Sequence, residues 1–587
     1  MNIVNPKDIK IIKGLPPVAK KGDKISLDSE FFNQKKSRLH RPHGDFAFLG
    51  CSYNGITVYY IDDENDVAEF FERIDAGVHI WFNAKYDYTQ LRRYAPLLPR
   101  NNIWDCMLLE QILWSGYYSD FSLKDLVRRY LDIYMEKDMR EEFVNNPEKI
   151  MTKEMIEYSC LDVSYTWKVY REQKEKISDS EMSVWRSIER DFLWTILDMG
   201  GMRIDVDAWI ALYEKNYADA IAVQKKYLDN PEILDEMSLQ EASRKKKLKG
   251  IQLGSWQQVK KELTRLGYEV KSTQEDDISP WSEECEFVRD VLEFRGKLKA
   301  SSTYGKGWID NKLIEEDGKV YSSFNQIGAA TGRLSSSKPN VENIPVRETP
   351  EFRKCFIASE GCVLVDADWS AQEPRIYAYL SKDEQLLEIF KANKDVYIES
   401  ARLMFGWELD KKDPRRKERM KPTVLGASYG LTEFGMEKKY GVPKDEGKEL
   451  LETFFETFEG AAEYKKKQTR IKTYVETIYG RKFWLNVYQK GYENNALNSP
   501  VQGSAGDAMK IAGSRFRERI YDAGYQGQVY VINYIHDEIL VESRKELLEW
   551  TVKNLREVMI DVAEEMHEGI PADVEIHHGY SWHDAHA

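Results

Sequence analysis

The 587 residues contain no apolar run near the ~20 residues that a bilayer crossing needs. The opening MNIVNPKDIKIIKG has no apolar core of a secretory signal. Both absences point to a cytoplasmic chain with no membrane partner. Cysteine is scarce: Cys51, Cys106, Cys160, Cys285, Cys355 and Cys362 are scattered, and none forms a C-x-x-C pair. That spacing argues against zinc and for buried reduced thiols. Positive charge is also in deficit, with 85 Lys and Arg against 99 Asp and Glu, a formal net charge of -14. Such a balance speaks against a plain nucleic-acid-binding module. It does not exclude an enzyme that builds metal sites from carboxylates and follows phosphates with local basic patches.

Three basic patches are present, RKKKLK at 244–249 and the stretches 411–421 and 465–472, although each also reads as a solvated helix face. The length suits roughly three or four domains, and an apolar share of 42% can fill large cores.

The most informative stretch is VLVDADWSAQEPRIYAYLS, 363–381. Its Val-rich start predicts a buried strand, and its second half a helix. Asp366 and Asp368 fall where the strand ends, on one strand face, where a divalent metal is readily held. Far downstream, VYVINYIHDEILVE at 529–542 predicts a hairpin with His536-Asp537-Glu538 at its tip. Two acidic sites on neighbouring strands could hold two metals about 3.5–4 Å apart, as in-line phosphoryl transfer requires. Solvated acids at a strand-to-helix turn are the plainer alternative for the first stretch.

The N-terminal region reads as a separate α/β unit. KISLDSEF predicts a strand bearing Asp28 and Glu30 on one face. A hairpin is expected around Asn54-Gly55, a strand over 78–82, and Asp87 four residues after Asn83. Asp105 opens a helix, and Tyr158 and Asp162 share a helix face at i and i+4. Beyond Gly200 the pattern is helical, interrupted by a loop at STQEDDISP. The turn-rich AATGRLSSSKPNVENIPVR then forms an ordered loop that places Arg333 and Asn343. Lys417, Lys421, Leu425 and Tyr429 recur every four residues along one predicted helix, followed by a strand pair around Tyr479-Gly480 and a helix carrying Asn498 and Gln502. His577 and His578 read as an ordinary strand end.

These motifs carry a resemblance. D-x-S-x-x-E-x-R (Asp368, Ser370, Glu373, Arg375) with the later H-D-E resembles family A DNA polymerases, the DNA polymerase I type. The T-G-R-L-S-S, N-I-P-x-R, fingers-helix and N-x-x-x-Q-G elements extend the likeness. The D-x-E, N-x-x-x-D and Y-x-x-x-D series resembles the proofreading 3′–5′ exonucleases of ribonuclease-H-like fold. The resemblance implies a multidomain α/β protein: an exonuclease domain over 1–180, then a right-hand polymerase over 181–587. Within the latter, the thumb would span about 190–310, the palm about 320–390 and 485–587, and the fingers about 391–484.

The resemblance also implies roles. Asp368 and Asp537, with the carbonyl of Trp369, would bind two Mg²⁺, and Asp28, Glu30 and Asp162 two more, with Mn²⁺ as an alternative ion. Asp87 would stand nearby, and Tyr158 would orient the attacking water. Lys417, Lys421, Leu425, Tyr429, Glu373 and Trp369 would meet the dNTP, with Lys421 as cation and proton donor and Glu373 as the sugar gate. Arg333, Asn343, Asn498, Gln502 and His536 would touch primer–template DNA. No particular processivity partner is indicated.

The chain departs from the family pattern at Tyr397 (usually His), Lys417 (usually Arg, unless Arg415 or Arg416 fills the role), Leu425 (usually Phe or Tyr) and Asn494 (often Arg). The departures at Tyr397, Leu425 and Asn494, with no room for a 5′ nuclease domain, resemble a bacteriophage replicative enzyme. A single-subunit RNA polymerase is the neighbouring alternative, opposed by Glu373 and the exonuclease motifs. A non-catalytic DNA-binding protein is opposed by the full carboxylate set.

Overall fold

A computed structural model of the protein describes residues 9–33, 43–95, 102–135, 139–311, 313–344 and 351–586. Pro345 and Arg347 of the N-I-P-x-R element lie outside them. Contacts divide the chain into two compact units, one of residues 1–200, 322–342 and 365–576 and one of 201–321, 343–364 and 577–587.

The first unit holds a six-stranded sheet, most of a four-stranded sheet and two small two-stranded pairs. The N-terminal sheet has six strands in the order Lys10–Lys13, Thr57–Ile61, Asp45–Ser52, Lys24–Phe32, Val78–Trp81, Ile103–Asp105. Asp45–Ser52 pairs antiparallel with both of its neighbours, and the remaining pairs are parallel. The expected hairpin is set by Asn54, whose Oδ1 accepts from the Ile56 and Thr57 N–H groups, and by Gly55 at φ +69°. The helix Lys153–Lys174 covers the strands Lys24–Phe32 and Asp45–Ser52. Asp105 does open a helix: its carboxylate caps Cys106–Trp114 through Met107 and Leu108 N–H, and also accepts from Asn83 and Ala84.

The second sheet is ordered Val529–Ile535, Glu538–Arg544, Cys362–Trp369, Val574–Gly579. The strand Cys362–Trp369 is buried at every residue except Asp368, as its apolar run predicts. The 31-residue helix Tyr492–Asp522 packs against the helices Leu548–Met566, Arg190–Leu197 and Gln372–Ser381, with interior residues from Ala496 to Ser514 nearly all buried. A helix enclosed on all sides has no solvent stripe to read, so its sequence lacks clean amphipathicity. The pair Tyr474–Glu476 and Lys482–Trp484 forms the expected small hairpin. It is fastened to the N-terminal region by Trp484, whose main-chain N–H donates to Ser115 O (2.8 Å) and whose indole N–H donates to Leu113 O (2.8 Å). The Trp484 ring stacks on Trp114 with centroids 5.5 Å apart.

The second unit is built on the helices Val206–Lys225, Trp256–Arg265 and Glu286–Lys299. Leu253, Val259, Leu263, Val288, Val291 and Phe294 fill their core. STQEDDISP is not a plain loop. Glu275–Ile278 and Ser279–Trp281 are short helical turns, favoured by acids in the first turn and by Pro280 near a helix start. The basic residues of 244–249 are exposed, and Lys245 pairs with Glu241 at 2.5 Å. Asn343 lies in this unit, with its carbonyl accepting from Tyr304 Oη. All six cysteines are buried and unbridged. Among the described residues no helix is long and apolar enough to cross a membrane.

Candidate active sites

The strand Cys362–Trp369 and the hairpin Val529–Arg544 bring the two acidic stretches together. The N–H of Trp369 donates to the carbonyl of Asp537 (3.4 Å), so Asp368 and Asp537 flank a direct backbone contact. His536, at φ +54°, makes the hairpin turn that presents Asp537. The strand-to-helix turn is held just as firmly. Ser370 N donates to Asp573 O (2.9 Å), Ala371 is left-handed at φ +54°, and Arg375 reaches back to Ser370 O (3.1 Å) and Pro571 O.

Asp368 is shifted to a pKa of about 9, first by burial, then by Asp537, Glu538, Asp366 and Glu575. Asp537 is raised by burial and by Glu373. Asp368 Oδ1 is buried without a hydrogen-bond partner. Packed carboxylates with an unsatisfied oxygen form a hard, all-oxygen donor set that suits a divalent cation such as Mg²⁺.

These acids open into a cavity of about 860 Å³, walled also by Arg333, Glu373, Arg416, Lys421, Leu425, Tyr429 and Gln502. Glu373 is gripped from two sides, by the Arg333 guanidinium and the Tyr429 hydroxyl. Lys439, not singled out by any motif, adds a cation 4.4 Å from the Tyr429 ring centre. The expected four-residue ladder is interrupted. Arg416–Met420 is a π-turn in which Lys421 N–H bonds to Arg416 O. One extra residue per turn puts Arg416, not Lys417, on the cavity wall with Lys421, Leu425 and Tyr429; Lys417 is exposed outside it. Arg416 is fixed there by Asp395 (3.0 and 2.5 Å), the N-cap of Val396–Phe405, and lies 5.2 Å from the Tyr397 ring centre. Trp369 lines the same cavity, as do His536 and Asp537. Asn498 stands one turn before Gln502 on the long helix, its Oδ1 buried without a partner.

The second acidic site lies on the N-terminal sheet. Carboxylate oxygens of Asp28, Glu30 and Asp162 all fall within 4.8 Å of one another. Burial, then Glu30, Asp87 and Asp162, push Asp28 well above the usual carboxylate range, and its Oδ2 has no partner. Asp87 is held by Ser29 N (3.2 Å) and Oγ (2.6 Å), and burial lifts it to about 8. One helical turn before Asp162, burial and then Asp162 raise the Tyr158 phenol, keeping it protonated. This donor set also fits divalent cations.

His567 carries no motif. It is buried beside Arg375, and burial followed by Arg375 lowers its pKa to about 4. The folded protein therefore keeps it neutral, whereas the unfolded chain protonates it near pH 6.5. Its contribution is intact above pH 6.5 and is lost as pH falls toward 4, by up to about 3 kcal/mol. Urea unfolding from pH 7 to 4 is expected to show this loss, and His567→Leu to flatten it. An equal slope in both proteins would refute the assignment.

Comparison with known proteins adds three findings. Residues 230–584 match the family described as DNA polymerase family A, and residues 19–178 match the 3′–5′ exonuclease family. DNA polymerase I of Caldicellulosiruptor bescii is 32% identical over 336 residues, 55% of this chain and 38% of that protein. The thermostable DNA polymerase I of Thermus aquaticus is 33% identical over 308 residues, 50% of this chain and 36% of that one. The chain thus spans little more than a third of the length of these curated relatives. The POL domain of Pol1 from M. smegmatis, solved in complex with DNA primer-template and dNTP, shares the fold at a TM-score of 0.81. That match covers 98% of this chain and 100% of that one, at 23% identity. With its match to the polymerase family covering more than half of its length, the chain belongs to DNA polymerase family A and carries, ahead of that region, a domain of the 3′–5′ exonuclease family.

Proposed function

We propose that the protein extends a primer 3′ end with dNTPs under the direction of a template strand, and removes misincorporated ends with its 3′–5′ exonuclease. The observation that carries this reading is the single cavity shared by Asp368, Asp537, Arg416, Lys421 and the Arg333–Glu373–Tyr429 cluster. Asp368, Asp537 and the carbonyl of Trp369 would hold two Mg²⁺ (or Mn²⁺), and Asp28, Glu30 and Asp162 two more. Bound there, such ions supply charge neutralisation and a more nucleophilic oxygen.

The chain's own groups do the rest. Lys421 and Arg416 face the triphosphate, Arg416 as a planar fork and Lys421 as a point charge able to hand a proton to departing pyrophosphate. Lys417 would act only at longer range. Arg333 meets minor-groove acceptors, which are nearly the same for every base pair and so report pair shape. Asn343, Asn498, Gln502 and His536 complete the DNA contacts. Leu425 beside the sugar offers neither donor nor acceptor. At the second site, Asp87 supports the acidic cluster and Tyr158 orients the attacking water. The departures at Tyr397, Leu425 and Asn494 support a phage replicative enzyme acting in the host cytoplasm.

Primer extension with Mg²⁺, using dNTPs or NTPs, tests the reading. Template-directed products from dNTPs are expected; no extension, or preference for NTPs, would overturn it. Glu373 supplies a sharper test. Its carboxylate, fixed between Arg333 and Tyr429, fills the space that a 2′-hydroxyl would need. Glu373→Ala is expected to raise the relative efficiency of ribonucleotide incorporation by at least roughly tenfold. Unaltered discrimination would place the gate elsewhere.

A further inference from the structure

Behind the cavity wall, four charged side chains from distant parts of the chain are sealed from solvent. Glu189, Asp507 and Lys510 are each 0% exposed, and Arg481 is 1% exposed. Arg481, at the turn of the hairpin Tyr474–Trp484, donates from Nε to Asp507 (2.8 Å) and from Nη2 to Glu189 (2.5 Å). Lys510 also binds Glu189. Thr477 Oγ1 completes Asp507 (2.9 Å), and Gln326 Nε2 donates to the Glu189 carboxylate (2.9 Å) and carbonyl (2.8 Å). Two positive and two negative charges balance, with Lys510 and Arg481 keeping Glu189 ionised against its burial.

A buried ionic set of this kind is weak evidence for stability, because apolar residues of similar volume often serve as well. What it touches is more informative. A Cβ at Gly332, where φ is +89°, would lie 2.7 Å from Arg481 Cδ, so the Thr331–Gly332–Arg333 backbone rests directly on the Arg481 side chain. From the other side, a Cβ at Gly503 would lie 2.8 Å from Thr331 O, and one at Gly506 would lie 3.4 Å from Arg333 Cα. The loop closes on itself, with Gly328 and Ala329 N–H both donating to Arg333 O. Gln326 opens this loop and is itself held by Glu189. Arg333 leaves it to grip Glu373 in the cavity.

We propose that Arg481 is a positioning residue for Arg333: its fork, locked between Asp507 and Glu189, forms the floor on which the Thr331–Arg333 backbone is set. This rests on Arg333 acting at the primer terminus. It predicts that disturbing the network misplaces Arg333 without touching DNA or nucleotide.

The test uses the full chain with Arg481→Lys, which keeps the charge and loses the fork, with Arg333→Ala, and with the double variant. Degradation of single-stranded DNA serves as the folding control. Arg481→Lys should lower kcat/KM for extending a matched terminus roughly tenfold to hundredfold, the scale of an ångström-level misplacement. Combined with Arg333→Ala, it should add no further loss. Amide exchange over 326–335 should quicken in Arg481→Lys.

Multiplicative losses in the double variant, or unchanged exchange, would overturn the proposal. Should Arg333→Ala alone leave extension intact, the role of Arg333 at the terminus fails. Exchange over 326–335 then decides alone whether Arg481 anchors the loop. Should Arg481→Lys fail the folding control, Thr477→Val removes the bond that Thr477 Oγ1 donates to Asp507 and the one it accepts from Arg481 N–H (3.1 Å), without unpairing a charge. Faster exchange over 326–335 is again expected, and unchanged exchange overturns the proposal.

Discussion

Asp368→Asn, or Asp537→Asn, is expected to abolish primer extension while leaving primer degradation intact. Asn keeps the shape of each side chain and removes the charge that a metal site needs. The rate should fall by at least the roughly 10²–10³ that follows loss of one transition-state hydrogen-bond donor. The same change should make the protein without divalent ions more stable. Asp368 titrates near pH 9 when folded and near 3.8 when unfolded, so between those values the folded state resists ionising it. Asn removes that opposition. A variant that melts higher at neutral pH and cannot extend a primer is the expected result, read by thermal unfolding and a single-turnover extension assay. Normal extension by either variant would end the proposed role of these acids.

The mirror experiment is Asp28→Ala with Glu30→Ala. These two acids share one face of the strand Lys24–Phe32 and crowd Asp162. Their loss should lower degradation of a mismatched primer by at least roughly 10²–10³ and spare extension. Mismatched ends would then persist in products, measurable by sequencing them. Loss of both activities from either pair of changes, in a folded protein, would sink the two-site reading.

Local patterns were largely legible in the chain. The strand that carries Asp368, the hairpin tip at Asp537 and the Asn54-Gly55 turn are each specified within a dozen residues, and the structure places them as their local patterns predict. The four-residue ladder from 417 to 429 was harder to read. Pro422 has no N–H to give to Glu418 O, and its ring crowds that carbonyl. The chain widens there into the π-turn Arg416–Met420, while Arg419 Nη1 donates to the freed carbonyl at 3.2 Å. Pro422 was the available signal, and it shifts the inward cation from position 417 to 416. The network of Glu189, Arg481, Asp507 and Lys510 had no signal at all. Its members are up to 321 residues apart and follow no period, so only the folded chain reveals that they meet.

The stacking of Trp114 on Trp484 bears on how the chain could be cut. Severing it at 175–178, between the helices Lys153–Lys174 and Asp179–Val184, and separating the pieces would strip Trp484 of Trp114 and of its bonds to Leu113 and Ser115. The liberated C-terminal fragment would expose an aromatic face built to be covered, and such faces are adhesive in water. It should therefore be prone to self-association and recapture the severed N-terminal piece when the two are mixed. A nick in this stretch would then leave a noncovalent pair that still migrates as one particle under native conditions.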